Sequence, residues 1–486
     1  MRGMMHVVLL RSTAALVLAA CSNSSTGTSS PYTVTVKSGD AQTDSVKRTL
    51  PQSVSVTVTD KSNGYPAPGI TVNWNVTAGG GSVTATSATD AGGVARATWT
   101  LGPVVGTQHV KASVSGGTPV TFTATALGPV PVFVASVPIP PNYGIHSTYV
   151  RDGLAFVCAW NTGVLIYDVG NGIKGGSPAN PTLVGSVATT GGRVHNAWWF
   201  HNPVTSENRY LFVGQEGLGT IGTSSSGDIH VVDVSNLAAP VEVASFHMDS
   251  AGTHNFWMDE PNQILYAAYY NGGVVAIDVS GTLSGDISSR LITKVKPGGA
   301  GNTYTWGVQL HPGGNDSLYA IDMLSGLWQL HTAGGTLSVT SGGNNVPNRY
   351  SSDFWVTTGY IYTGSWDWAR RTNLAGSLLK VWQLDGAGHP SPVDSILTDS
   401  VSAVSDVKVS VDGKLLLFST EGGSYSGFWF YSLADPAHPT YTGYYAVSTG
   451  IHTVTFATIN GRLYAFGAKD PASPALIILD VTGLDQ

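Results

Sequence analysis

His146, His195, His254 and His452 stand at one equivalent place in a chain that repeats itself, and imidazoles delivered one per repeat can converge on a common centre. Aligning the repeats on that place gives His146, His195, His254, Trp306, Ser352, Ser405 and His452, with successive gaps of 49, 59, 52, 46, 53 and 47 residues. The four histidines are neighbours in the circular order, since the last repeat adjoins the first. Neutral imidazole is the commonest side-chain ligand of transition metals, so one chemistry on offer is a Cu, Zn or Fe site on these four residues. The other is structural: an imidazole at a repeat start can tie its loop to a neighbouring backbone, copied whenever the repeat was copied. The sequence leaves both open.

A second set of groups falls at the end of the second apolar run of each repeat and is expected on the same face. Trp160, Tyr270 and Trp366 occupy one equivalent position there and are expected to face a ligand, with Glu216 and Glu421 beside them. Rings that supply area and carboxylates that fix orientation suit a glycan or a small aromatic molecule. In a metalloenzyme, Glu216 would carry the proton. As a glycosidase-type carboxylate pair, Glu216 and Glu421 lie too many repeats apart to act directly. Trp198, Trp199, Trp257 and Trp355, inside first runs, are expected to pack. No nucleophile elbow, phosphate-binding loop, zinc-protease helix or CxxC pair occurs.

These residues must be held by the repeat itself. About every fifty residues four short apolar runs recur, the third ending in Asp-Val or a variant: GVLIYDV at 163–169, GDIHVVDV at 227–234, GGVVAIDV at 272–279 and PALIILDV at 474–481. Four short strands at such a period predict one propeller blade, and seven copies predict a seven-bladed β-propeller over 129–486. The last repeat stops after its third run, while 131–140 has the pattern of a fourth run with no repeat before it. Pairing the two closes the ring and removes two open edges. Over 31–127 Thr and Val alternate between Gly/Pro turns, which predicts a β-sandwich. With 60 Gly, 25 Pro and 11% charged residues the chain reads as all-β. A net charge of −7 without a Lys/Arg cluster excludes nucleic acid as a partner.

The first residues are read as an address. Arg2 and Arg11 precede a short apolar run that ends Leu18-Ala19-Ala20-Cys21, and a Ser/Thr-rich stretch follows. Arg11 shortens the apolar run, which leaves a start at Met4 or Met5 open. The tetrapeptide resembles the bacterial lipobox. That resemblance implies a signal peptide over 1–21, lipidation of Cys21, a tether over 22–30, and an exported protein anchored through its lipid to the cell envelope, at the outer membrane or cell surface. Cys158 then remains alone, so no internal disulfide is expected. It is read as a small buried apolar residue.

Two longer resemblances add to this. GYPAPGITVNW at 64–74 and TDAGGVARA at 89–97 resemble the bacterial Ig-like domains of the invasin type (group 1), which implies an Ig-like stalk over 31–127 with Trp74 and Trp99 in its core. GDIHVVDVSNLAAPVEVASF at 227–246, GVVAIDVSG and ALIILDVTGL are similar to the LVIVD-repeat proteins. The match is good in repeats one, two, three and seven. It rests on period alone in repeats four to six, which lack the Asp-Val ending. It implies a propeller and export, and no reaction. The resulting expectation is a surface lipoprotein whose propeller binds a glycan, an envelope protein or a small ligand, with a His-ligated metalloenzyme as the alternative.

Overall fold

The computed structural model describes residues 30–140, 144–314, 316–366, 374–398, 400–470 and 473–484, so Cys21 and its flanks lie outside the described residues. Strands dominate, and the helix among the described residues is a single 3-10 turn, Ser288–Arg290. None is long and apolar enough to cross a membrane. The chain divides after Leu127 into two units.

In the first unit Tyr32–Ser38, Val54–Asp60 and Val94–Ala97 form one sheet, and five strands running from Gln42–Ser45 to Thr86–Ala88 form another. Their alternation of Thr with Val turns one face inward, so Val34, Val56, Val58, Val72, Val110 and Phe122 share a core with Trp74 and Trp99. The 89–97 motif is a hairpin device: Asp90 accepts hydrogen bonds from the N–H groups of Gly92 and Val94. Gly93 sits at φ 69°, where a Cβ would strike the Val58 carbonyl.

The second unit holds seven antiparallel sheets of four or five strands, each built from consecutive runs of one repeat. In the first of them Ser147–Arg151, Leu154–Cys158, Val164–Asp168 and Thr182–Val187 pair in chain order. The second and third strands are buried on both faces, which explains their unbroken apolar runs. The first strands touch one another in sequence, and that of the last repeat, Thr453–Ile459, touches that of the first, so the contacts close into a ring. The seventh sheet takes its outer strand from the start of the unit: Val132–Pro138 pairs antiparallel with Ala475–Asp480. Cys158 is free and fully buried, and burial pushes its thiol far up.

The Asp of the recurrent Asp-Val ending has a local cause. The carboxylates of Asp168, Asp233, Asp278 and Asp480 each accept the N–H two residues on, from Gly170, Ser235, Ser280 and Thr482, which turns the chain out of the third strand. Asp168 goes furthest, accepting from Gly170, Gly172, Lys174 and Gly176 at 2.8–3.1 Å. Burial alone would raise its carboxyl, but these four donors hold it down at about 2. A depressed folded pKa stabilises above the unfolded value, so this contribution is complete above about pH 4 and lost as pH falls toward 2. Asp168→Asn is expected to cost about 1–3 kcal/mol at neutral pH. It should also flatten the acid limb of the propeller's unfolding curve. Wild-type acid sensitivity in the variant would contradict this role.

Candidate functional site

The first strands place their opening residues around the ring's centre through main-chain bonds. The N–H groups of His146, His254 and His452 donate to the carbonyls of Cys158, Ala268 and Ala468 at the ends of their own second strands, each at 2.8 Å. His195 is positioned from the neighbouring sheet instead: Val194 N–H donates to the Trp160 carbonyl at 3.0 Å. Thr305 N–H bonds the Tyr270 carbonyl likewise, at 2.9 Å, one residue before Trp306. Trp160 and Tyr270 adopt φ of 50° and 39°, a conformation bulky residues rarely take. These strained turns hold the next repeat's opening residue in place.

The result is a contiguous imidazole cluster. Ring centroids of His146 and His195 are 3.9 Å apart, of His195 and His254 4.0 Å, and of His146 and His452 4.2 Å. His146, His195 and His254 are almost fully enclosed. Burial, reinforced by the charge of neighbouring imidazoles, holds all three well below the usual histidine range, so they are neutral at pH 7. His452 behaves oppositely. Burial opposes its charge, but Glu421, 2.8 Å from its Nδ1, lifts it to about 9. The imidazolium then donates from Nε2 to His146 Nε2 at 2.9 Å.

Glu216 reaches the cluster from the second repeat. One carboxylate oxygen accepts the Tyr270 hydroxyl, and the other lies 3.8 Å from His146 Nε2. Burial pushes its carboxyl up, against the Tyr270 hydrogen bond. His146, His195 and Glu216 each offer a ligand atom, all within 4.8 Å of one another. Ligands about 2.0–2.2 Å from one zinc ion stand only slightly closer together. Both ring nitrogens of His195 are buried and without a hydrogen-bond partner. His254 is different, because its Nδ1 lies 2.5 Å from the Trp306 carbonyl. That is the structural tie to the next repeat.

A hairpin insertion borders this mouth. Directly after Glu216, Gly217–Leu218 pairs with Ser225–Ser226. Gly219 N–H donates to the Tyr304 hydroxyl, which donates in turn to the Ser224 carbonyl.

Several expected roles change. Tyr270 is fully buried and orients Glu216 rather than facing a ligand. Trp160 is partly buried and stacks on His146 at 5.1 Å, while Trp366 lines the channel. Glu421 is enclosed, with its carboxylate occupied by His452 and Ser405. Glu216 stands among the candidate ligands, so it is poorly placed as a separate proton carrier. Trp199 packs against Phe156 at 5.3 Å as expected, but Trp198, Trp257 and Trp355 face a central chamber of about 200 Å³ beside the imidazoles.

These chamber residues follow the aligned series by three: Tyr149, Trp198, Trp257, Gln309, Trp355, Lys408 and Thr455. Sequence reading missed this second ring, although the same repeat alignment carries it. In the strand register each pairs with one equivalent second-strand position, Phe156, Phe212, Tyr266, Tyr319, Tyr362, Leu417 and Phe466.

No family model and no curated protein matches the chain. Among solved structures it is similar to the WD40 β-propeller domain of Doa1, at 11% sequence identity and a TM-score of 0.50, over 72% of this chain and 96% of that one. At that identity the likeness concerns the fold alone. The chain contains a β-propeller.

Proposed function

We propose that this propeller holds one divalent transition-metal ion, Zn, Cu or Fe, on His146, His195 and Glu216. The observation that carries the reading is the His195 imidazole: neutral, buried, lacking a hydrogen-bond partner at either nitrogen, and beside two other potential ligands. Buried polar atoms without partners are rare in folded proteins, and a metal ion would satisfy this one. Tyr270 would orient the ligating carboxylate, as groups behind a metal ligand usually do. Three protein ligands leave a coordination position open for a water or a ligand. Metal-stripped protein is expected to gain stability on titration with zinc or copper, by about 2.7 kcal/mol at a hundredfold excess over Kd. An unfolding midpoint unmoved by either ion would overturn the site.

We further propose that the chain is a lipoprotein, lipidated on Cys21, with an Ig-like stalk over 31–127 and a seven-bladed propeller of LVIVD-like repeats above it. What supports this is the lipobox-like tetrapeptide, the two invasin-type motifs, the seven sheets and their cyclic contacts. Cys21→Ser should move the protein from the membrane fraction to the soluble fraction. Unchanged sedimentation and lipid labelling would contradict the anchor.

A further inference from the structure

The chamber beside the imidazoles has walls of two kinds. Along one arc Tyr149, Trp198 and Trp257 stand edge to face in a row, with centroids 5.3 Å apart, and Trp355 continues it at 6.0 Å. Each ring is only partly buried and turns surface into the chamber. The facing arc is polar. Lys408 bridges Asp406 and Asp353, lying 3.4 Å from the latter, and Asn255 donates to Asp353 at 3.1 Å. The Lys408 ammonium also sits 5.5 Å above the Trp355 ring.

Charge and size narrow what this space accepts. A cation would meet Lys408 and the His452 imidazolium, and the aromatic face best placed to receive it already has a cation over it. An anion would meet Asp353 and Asp406. Burial raises the Asp353 carboxyl to about 8 despite Lys408, so near neutrality the acidic pair shares one proton and the triad carries no net charge. A neutral guest with a hydrogen-bonding group therefore fits best. A cavity of about 150 Å³ admits benzene, and this one measures about 200 Å³. Tyr149, Trp198 and Trp257 also line a second cavity, of about 460 Å³, beside Arg151 and Glu260, which gives a route from solvent.

We infer that the chamber binds an uncharged, single-ring hydroxylated aromatic, its ring against Trp198, Trp257 and Trp355 and its hydroxyl toward Asp353, Asn255 and Lys408. This goes beyond the metal site and does not depend on it. The test uses phenol as probe and metal-stripped full-length protein, so its failure leaves the metal reading untouched. Tryptophan fluorescence and calorimetric titration should show one saturable site. Cyclohexanol, choline and benzoate should each bind at least about tenfold more weakly. Thr455→Trp should fill the chamber and weaken phenol by about tenfold or more. Four other repeats already carry Trp or Tyr at that position, so its melting temperature should stay near wild type. Trp257→Leu, which opens the wall instead, should weaken phenol similarly. No saturable phenol binding without metal, equal binding of cyclohexanol or either ion, or full affinity in both variants would overturn the inference.

Discussion

His195→Ala protein is expected to lose zinc affinity by about a hundredfold or more while retaining its metal-free fold. The remaining pair, His146 and Glu216, holds a divalent ion poorly, because a stable site with one open position uses three protein ligands. The imidazole removed makes no hydrogen bond within the chain, so its loss strands no partner. Stability should therefore differ from wild type mainly when metal is present, since bound metal adds to native stability by mass action. His254→Ala is the informative contrast. Its Nδ1 bonds the Trp306 carbonyl, so the variant should lose about 1–3 kcal/mol with or without chelator. If the two variants behave alike in chelated and metal-loaded protein, His195 is a structural tie as well.

Deleting residues 131–140 is expected to destabilise the propeller by roughly 3–6 kcal/mol, at about 0.5–1.5 kcal/mol per lost hydrogen bond. The segment pairs Val132 with Asp480 through Pro138 with Ala475, and Ile139 N–H extends the contact to the Pro474 carbonyl. Removing it bares Ala475–Asp480, a strand with five of its six residues buried, as an open edge. Apolar edges pair with other chains, so aggregation should accompany the loss. That cost is a large share of a typical domain's total stability. Unchanged melting and solubility of the truncated protein would show that closure lies elsewhere.

The repeat period made most of this legible, and the places where reading failed share one cause. Four apolar runs per repeat located the strands, and the orphan run at 131–140 located the outer strand of the last sheet, because unpaired edges are costly. Alignment on one position brought out the four histidines. The aromatic ring three residues later was missed because strand alternation puts positions three apart on opposite faces. Bulges undo that alternation, between Val194 and Asn196, Thr305 and Gly307, Ser351 and Phe354, and Val404 and Val407. An extra residue flips the strand's parity and re-aims the side chains beyond it, so both rings turn inward. Tyr270 was misread for a related reason. Its position at a turn suggested exposure, but the neighbouring repeat's Glu216 and Tyr304 enclose it, and no local pattern records a partner from another repeat.

The account's central claim is a metal ion on His146, His195 and Glu216, and elemental analysis of untagged protein, purified without chelator, tests it most directly. The prediction is about one equivalent of zinc, copper or iron per chain, removed by chelator and restored on adding the ion back. A chain that holds none of the three as purified, and takes up none when each is supplied in excess, would contradict it.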